Sequence, residues 1–384
     1  MPLTVADVVG ILEDRYPPGT AEPWDAVGLV AGDPAAEVRT VLLAVDPTEA
    51  VAEEALARGA DLLLTHHPLY LRGTSTVAAD NPKGRVVHRL LRDGCALYAA
   101  HTNADAAADG VAAALADALG LTGCRPLQPL PTALDTLVTF VPADRTQDLL
   151  DALAAAGAGR LGAYERAAFT SPGTGTFRPL PGARPAVGGV GLTETVAEDR
   201  VEMVLPRERR AAVLAALRAA HPYEEPAFTL IAQPDTGGPT GTGRVGRLPR
   251  PTTLRTFAER VAAALPATPA GVRVGGDLDG EVATVAVCGG AGDSLLAAAR
   301  GAGADVYVTA DLRHHPASEH LAGGRPYLVD TTHWASEWPW LPRAAAVLRA
   351  GAVERGATLV THVSTLVTDP WDLQLTAPTE GARP

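Results

Sequence analysis

Three runs of uninterrupted apolar residues set the strongest limit on how this 384-residue chain can fold. They are VLLAVD (41–46), DLLLTHH (61–67) and CALYAAH (95–101). Such a run, lacking polar alternation, belongs to a strand covered on both faces, as parallel strands in α/β sheets are. The stretches between them, PTEAVAEEALARG (47–59) and GRVVHRLLRDG (84–94), carry helical spacing, and DGVAAALADALG (109–120) is a further helix stopped at Gly120. The alternation returns late in the chain. There TVAVCGG (284–290), DVYVTAD (305–311), PYLVD (326–330) and ATLVTHVST (358–365) read as strands.

The middle reads differently. LTGCRPLQPLP (121–131) is rich in Pro and turn residues, as a domain boundary would be. From Asp135 to about Ala232 the order is strand, helix, strand, strand, helix, strand, the βαββαβ ferredoxin-like arrangement. Its second strand is expected at 162–170 and its third at 200–206, with SPGTGTFRPLPGARPAVGGVG (171–191) as a long loop. QPDTGGPTGTGRVGRLP (233–249) reads as a flexible connection. The expected architecture is α/β: one unit at 1–130, an α+β insert at 131–245, and a second α/β unit at 246–384.

Composition removes several classes of function. A hydrophobic fraction of 47% supports a sizeable core, and no run of about 18 apolar residues suggests a membrane span. The first residues lack a basic segment followed by an apolar one, so they do not read as a signal peptide. A net charge of -12 argues against non-specific binding to nucleic acid or to anionic membranes. Cys95, Cys124 and Cys288 form no CxxC pair, which excludes a disulfide framework or zinc knuckle and suits the cytoplasm. There is no GxSxG elbow, so a serine hydrolase is not expected.

The chemistry lies at the strand ends, where open α/β sheets bind ligands. Those ends carry His66-His67, then His101 to Asp105, then Asp311 with Arg313, His314 and His315, then His333 to Glu337. On a helix His333 and Glu337 would be i,i+4 and share one face, a two-ligand bite. Adjacent His66 and His67, at a turn into Pro68, could serve two neighbouring ions, and Asp105 supplies a carboxylate that could bridge them. A His/Asp/Glu set without thiolate suits Zn, Mn or Fe, with Zn favoured. His88 and His320, on helical stretches, read as structural. Trp24 and Asp25 read as core packing and a turn cap, HPYEEP (221–226) as a corner of the insert, and GGAGDS (289–294) as an ordinary strand-to-helix turn.

At these residues the chain resembles the NIF3-like family, dinuclear-metal-centre proteins often labelled GTP cyclohydrolase 1 type 2. The matching stretches are WDAVGLVAGDP (24–34), residues 44–70 through DLLLTHHPLY, HTNADAAADG (101–110), GTGTFRP, HPYEEPAF, CGGAGDS, VTADLRHH and DTTHWASE. The resemblance implies two metal ions per chain on His66, His67, Asp105, His333 and Glu337. It also implies an NIF3-like fold with a PII/CutA-type insert and a homo-oligomeric, hexameric ring.

The function expected is metal-assisted hydrolysis of a nucleotide or phosphorylated small molecule, because paired ions roughly 3.5–4 Å apart lower the pKa of bound water towards neutrality. His101 and His314 are the candidates for acid/base work, and Arg313 for holding a substrate anion. Asp311 is placed to orient a histidine. A metal-binding regulatory or scaffold protein is the competing expectation. It would saturate its ions with protein ligands rather than leave positions open to water.

Overall fold

Alternate residues of one strand serve two different cores, which is why the apolar runs have no polar face. Val41 and Leu43 of the strand Thr40–Ala44 belong to one buried cluster, and Leu42 and Ala44 to another. Leu62 and Leu64 divide from Leu63 in the same way on the strand Leu62–Thr65. Both lie in a five-stranded sheet ordered Val360–Val363, Thr40–Ala44, Leu62–Thr65, Ala96–Ala99, Gly28–Ala31. The first four strands are parallel and the last pairs antiparallel.

This computed structural model describes residues 2–131, 134–162, 164–234 and 237–375. The chain forms two compact units, Met1–Leu130 with Pro239–Pro384, and Pro131–Gly238. No helix among the described residues is long and apolar enough to cross a membrane.

The first unit contains a second, six-stranded sheet, ordered Arg273–Gly275, Tyr327–Thr331, Val306–Ala310, Glu281–Ala291, Gly241–Thr253, Thr122–Pro129. Strands from early and late in the chain are exchanged between the sheets. Val360–Val363 completes the first sheet, and Thr122–Pro129 edges the second. One core cluster accordingly draws Val41 and Leu43 from one sheet and Val285, Val287 and Val306 from the other, with Phe257 and Trp340 among its helical members.

Two segments depart from the sequence reading. The turn-rich stretch at 121–131 and the connection expected at 233–249 instead pair with each other, as Thr122–Pro129 and Gly241–Thr253, from Gly241↔Pro129 to Arg247↔Thr122. Pro is tolerated on an edge strand, where one side of the ladder has no partner to donate to. The stabilising partner lies more than a hundred residues away, so no local periodicity reports it.

The second unit has a four-stranded antiparallel sheet ordered Phe228–Ala232, Leu134–Pro142, Glu194–Pro206, Phe169–Phe177. Helices Thr146–Ala155 and Arg210–Ala220 pack on it through Leu149, Leu150, Leu153, Val213 and Leu217. Here too the expected loop is partly strand. Phe169–Phe177 pairs with Glu194–Glu202 over its full length, so the second strand starts later and the third earlier than expected. Phe169–Phe177 is an edge strand of Gly, Thr, Ser and Pro, a composition that reads as loop when its partner is unseen.

His221 fixes the corner after the helix Arg210–Ala220. Its Nε2 donates to the Phe140 carbonyl (2.8 Å), and its Nδ1 accepts from the Tyr223 amide (3.1 Å), so the ring is a neutral tautomer. Burial pushes its pKa below the ordinary 6.5. A depressed folded pKa means stability that is present above 6.5 and lost as pH falls through the folded value. The His221 ring should therefore show an NMR titration midpoint below 6.5, and a midpoint at or above that value would contradict the buried neutral ring.

Candidate metal centre

The strand Leu62–Thr65 carries on into His66 and His67, whose amides donate to Ala44 and Val45 carbonyls at 3.1 and 2.9 Å. The two rings end 5.1 Å apart. From the neighbouring strand Ala96–Ala99, His101 opens the short helix Thr102–Ala106 and places Asp105 in its first turn. From the other sheet, the helix His333–Glu337 follows the strand Tyr327–Thr331. The ends of both sheets thus deliver donors to one place.

All four imidazoles are oriented the same way. His66 Nδ1 donates to the Ala100 carbonyl (2.9 Å), His67 Nδ1 to Asp46 (2.7 Å), His101 Nδ1 to Asp25 (2.8 Å) and His333 Nδ1 to Asp311 (2.7 Å). With Nδ1 engaged, each ring turns Nε2 towards the centre, the arrangement carboxylates and carbonyls impose on metal-binding histidines. The ligand atoms of His66, His67 and His101 lie within 4.8 Å of one another, as do those of His67, His333 and Glu337.

Glu337 is the hub. One oxygen lies 2.9 Å from His333 Nε2 and 3.5 Å from His66 Nε2, and the other 3.1 Å from His67 Nε2. The side chain is only 3% exposed, yet three imidazoles hold its carboxyl well below the usual range against the effect of burial. Burial likewise opposes charge on His67 and His333, but Glu337 and their Nδ1 partners push them up to about 10 and about 11. Asp105 stands 3.8 Å from His66 Nε2, and burial pushes its carboxyl up. Nearby Cys288 is buried, and burial pushes its thiol up to about 12, so the donors on hand are nitrogen and oxygen.

These residues fit a divalent ion on two observations. Among the described residues buried His66 Nε2 makes no hydrogen bond, a costly omission in a protein interior unless something else satisfies it. Gly290 also stands where a side chain could not. At φ +68° a Cβ there would fall 2.4 Å from Glu337 Oε1 and 2.9 Å from His333 Nε2. The CGGAGDS segment is therefore the wall of this centre, tied to its helix by the Gly290 amide donating to Ser336 Oγ (2.9 Å).

Residues singled out from the sequence fall into two groups. His66, His67, His101, Asp105, His333 and Glu337 are brought together. His314 and His315 stand exposed at the start of the helix His314–Ala322, with rings 5.2 Å apart, and belong to neither donor group. Arg313 donates to Asp293 at 2.5 Å. Two participants were not foreseen. Asp46 closes an apolar strand just as the histidines do, and that position was the signal available. Asp25 lies 76 residues from His101; its buried carboxylate also accepts from Thr102 N (3.0 Å) and Thr102 Oγ1 (2.5 Å), bonds that hold its pKa low against burial.

Beside the centre a cavity of about 740 Å³ is lined by His67, His333, Asp311, Arg273 and Trp371 among others. That is ample for a small-molecule ligand. Its wall includes the segment from Thr368, whose hydroxyl donates to Asp46.

The family model Duf34/NIF3 (NGG1p interacting factor 3) matches residues 3–370. A Mycobacterium tuberculosis protein named GTP cyclohydrolase 1 type 2 homolog is 53% identical over 97% of this chain and 98% of its own. A Bacillus subtilis protein of the same name is 39% identical over 86% of this chain and 88% of its own. Among solved structures, a Bacillus cereus protein related to NIF3 superposes with TM-score 0.82 at 36% identity, covering 97% of this chain and 99% of its own.

Proposed function

The chain belongs to the Duf34/NIF3 family, and on that premise we propose that it is a metal-dependent hydrolase acting on a nucleotide or another phosphorylated small molecule. The observation that carries this reading is the buried Glu337 carboxylate among imidazoles whose Nδ1 atoms are all engaged, beside an open cavity. A site meant only to store or brace ions needs no such opening. His66, His67, Asp105, His333 and Glu337 would hold two divalent ions. When bound, those ions supply Lewis acidity and a nucleophilic water at neutral pH.

The remaining residues divide the other tasks. Asp25 fixes the His101 tautomer, leaving Nε2 to take a proton from the nucleophile and return it to the leaving group. The Arg273 guanidinium, steadied by Asp330, lines the cavity and suits a phosphate oxygen, whereas Arg313, paired with Asp293, does not line it. The exposed Trp371 indole on the cavity wall offers a face for a planar ring. The relatives' name puts GTP first among substrates to try, with opening of the purine ring at its imidazole carbon as the reaction to look for.

The test begins with elemental analysis of protein purified without added metal, beside Asp105→Ala. The same preparations are then assayed for hydrolysis of GTP and a panel of phosphorylated metabolites. Near two ions per chain, clear loss in Asp105→Ala, and turnover that disappears with the metal are expected. No ions after reconstitution would remove the site. A full complement of ions with no turnover of any substrate would replace the hydrolase reading with a binding role.

A further inference from the structure

Two segments noted in the sequence, GTGTFRP and HPYEEP, play no part in the metal centre. Both lie in the unit Pro131–Gly238, where they wall a single cavity of about 690 Å³. The cavity rests on the face of the four-stranded sheet that the helices leave uncovered. In the strand Glu194–Pro206, Val201, Met203 and Leu205 face the helices, so alternation turns Glu198 and Arg200 to the other side. There Glu198 lines the cavity together with Phe140, Gly173, Gly175, Phe177, Tyr223 and Arg200.

Glu198 is the unusual feature. It is 9% exposed, and among the described residues its side chain has one hydrogen bond, from the Tyr223 hydroxyl, which donates to Oε1 at 2.7 Å. Among the described residues no Arg, Lys or His forms an ion pair with it. Arg200 is turned to Glu202 (2.9 Å) and Arg184 to Glu224 (3.5 Å), and buried His221 is a neutral tautomer. A carboxylate this buried, without a cation, is electrostatically incomplete. The fold nevertheless makes room for it: a Cβ on Gly175 would lie 1.9 Å from Glu198 Oε2. Glu224 and Glu225 add negative charge to the lining, while the Phe177 and Tyr223 rings, 5.6 Å between centroids, give it an apolar side.

We propose that this cavity is a ligand site for a small molecule that presents a cationic nitrogen, an amine or amidine, to Glu198 and an apolar or planar body to Phe177 and Tyr223. The free Oε2 accepts its N–H, and the rings flank its body. An anionic ligand would place like charge against Glu198, the most buried carboxylate of the lining. This site stands independently of the metal centre and of any hydrolysis there.

The experiment is calorimetric titration of the full chain with benzamidine and, separately, benzoate, two flat molecules of similar size and opposite charge. Saturable binding of benzamidine is expected, weakened about tenfold or more in Glu198→Gln by loss of a charge-assisted hydrogen bond. Benzoate should not bind. Phe177→Ala, a change on the edge strand, should weaken benzamidine as well, and it serves as the test if Glu198→Gln does not fold by circular dichroism. The proposal is overturned if benzamidine does not saturate at millimolar concentration or benzoate binds equally. It is also overturned if folded Glu198→Gln, or Phe177→Ala, binds benzamidine as the parent does.

Discussion

In protein carrying Glu337→Ala, metal content is expected to fall by at least one ion per chain while secondary structure is unchanged. Among the described residues Glu337 is the one carboxylate within 3.5 Å of three separate imidazoles, so its removal breaks the His67–His333–Glu337 group and leaves His66, His67 and His101. Deleting one partner from a buried charge network costs about 3–5 kcal/mol when the remaining charge is trapped. Here the charge can leave. His67 and His333 owe part of their raised pKa values to Glu337, so without it their protons are held less tightly. The fold should therefore survive the loss of the ions. Gly290→Ala is the companion variant: it removes no ligand, yet its methyl would collide with Glu337 Oε1, so it too should lower ion content. Elemental analysis of both variants decides the matter. Two ions retained in Glu337→Ala would mean the ligands lie elsewhere.

His101→Asn should behave in the opposite way, keeping its ions but losing about 10²–10⁴ in turnover, the usual contribution of a positioned acid or base. The two effects separate because the Asp25 bond fixes the ring's orientation, whereas the proposed ions would still have His66, His67, His333 and two carboxylates to hold them. Asp25→Asn should lower kcat as well, since an amide can leave the proton on the wrong ring nitrogen. Parallel measurements of kcat and ion content check the assignment. Loss of an ion in His101→Asn would make His101 a ligand, an arrangement its 4.8 Å grouping with His66 and His67 also accommodates geometrically.

How much of this was legible beforehand depended on the range of the forces involved. The buried parallel strands were visible because both their faces are covered, which leaves a local signature in Leu62, Leu63 and Leu64. The strands Thr122–Pro129, Gly241–Thr253 and Phe169–Phe177 were read wholly or partly as connections because Pro and Gly are local punctuation, while their ladders are set by distant partners. Helix phase made it readable that His333 and Glu337 share one face, and their side chains lie 2.9 Å apart.

From the sequence alone came the α/β class, the βαββαβ order of the insert, and the collection of histidines and carboxylates at strand ends. All three follow from residue type and short-range periodicity. Tertiary structure alone decided that His314 stays outside the donor groups, that Asp25 and Asp46 lock two of the imidazoles, and that Glu337 rather than Asp105 is the hub. Those outcomes depend on distances between side chains far apart in the chain. Such distances are settled by how the sheets pack, and no spacing along the chain encodes them.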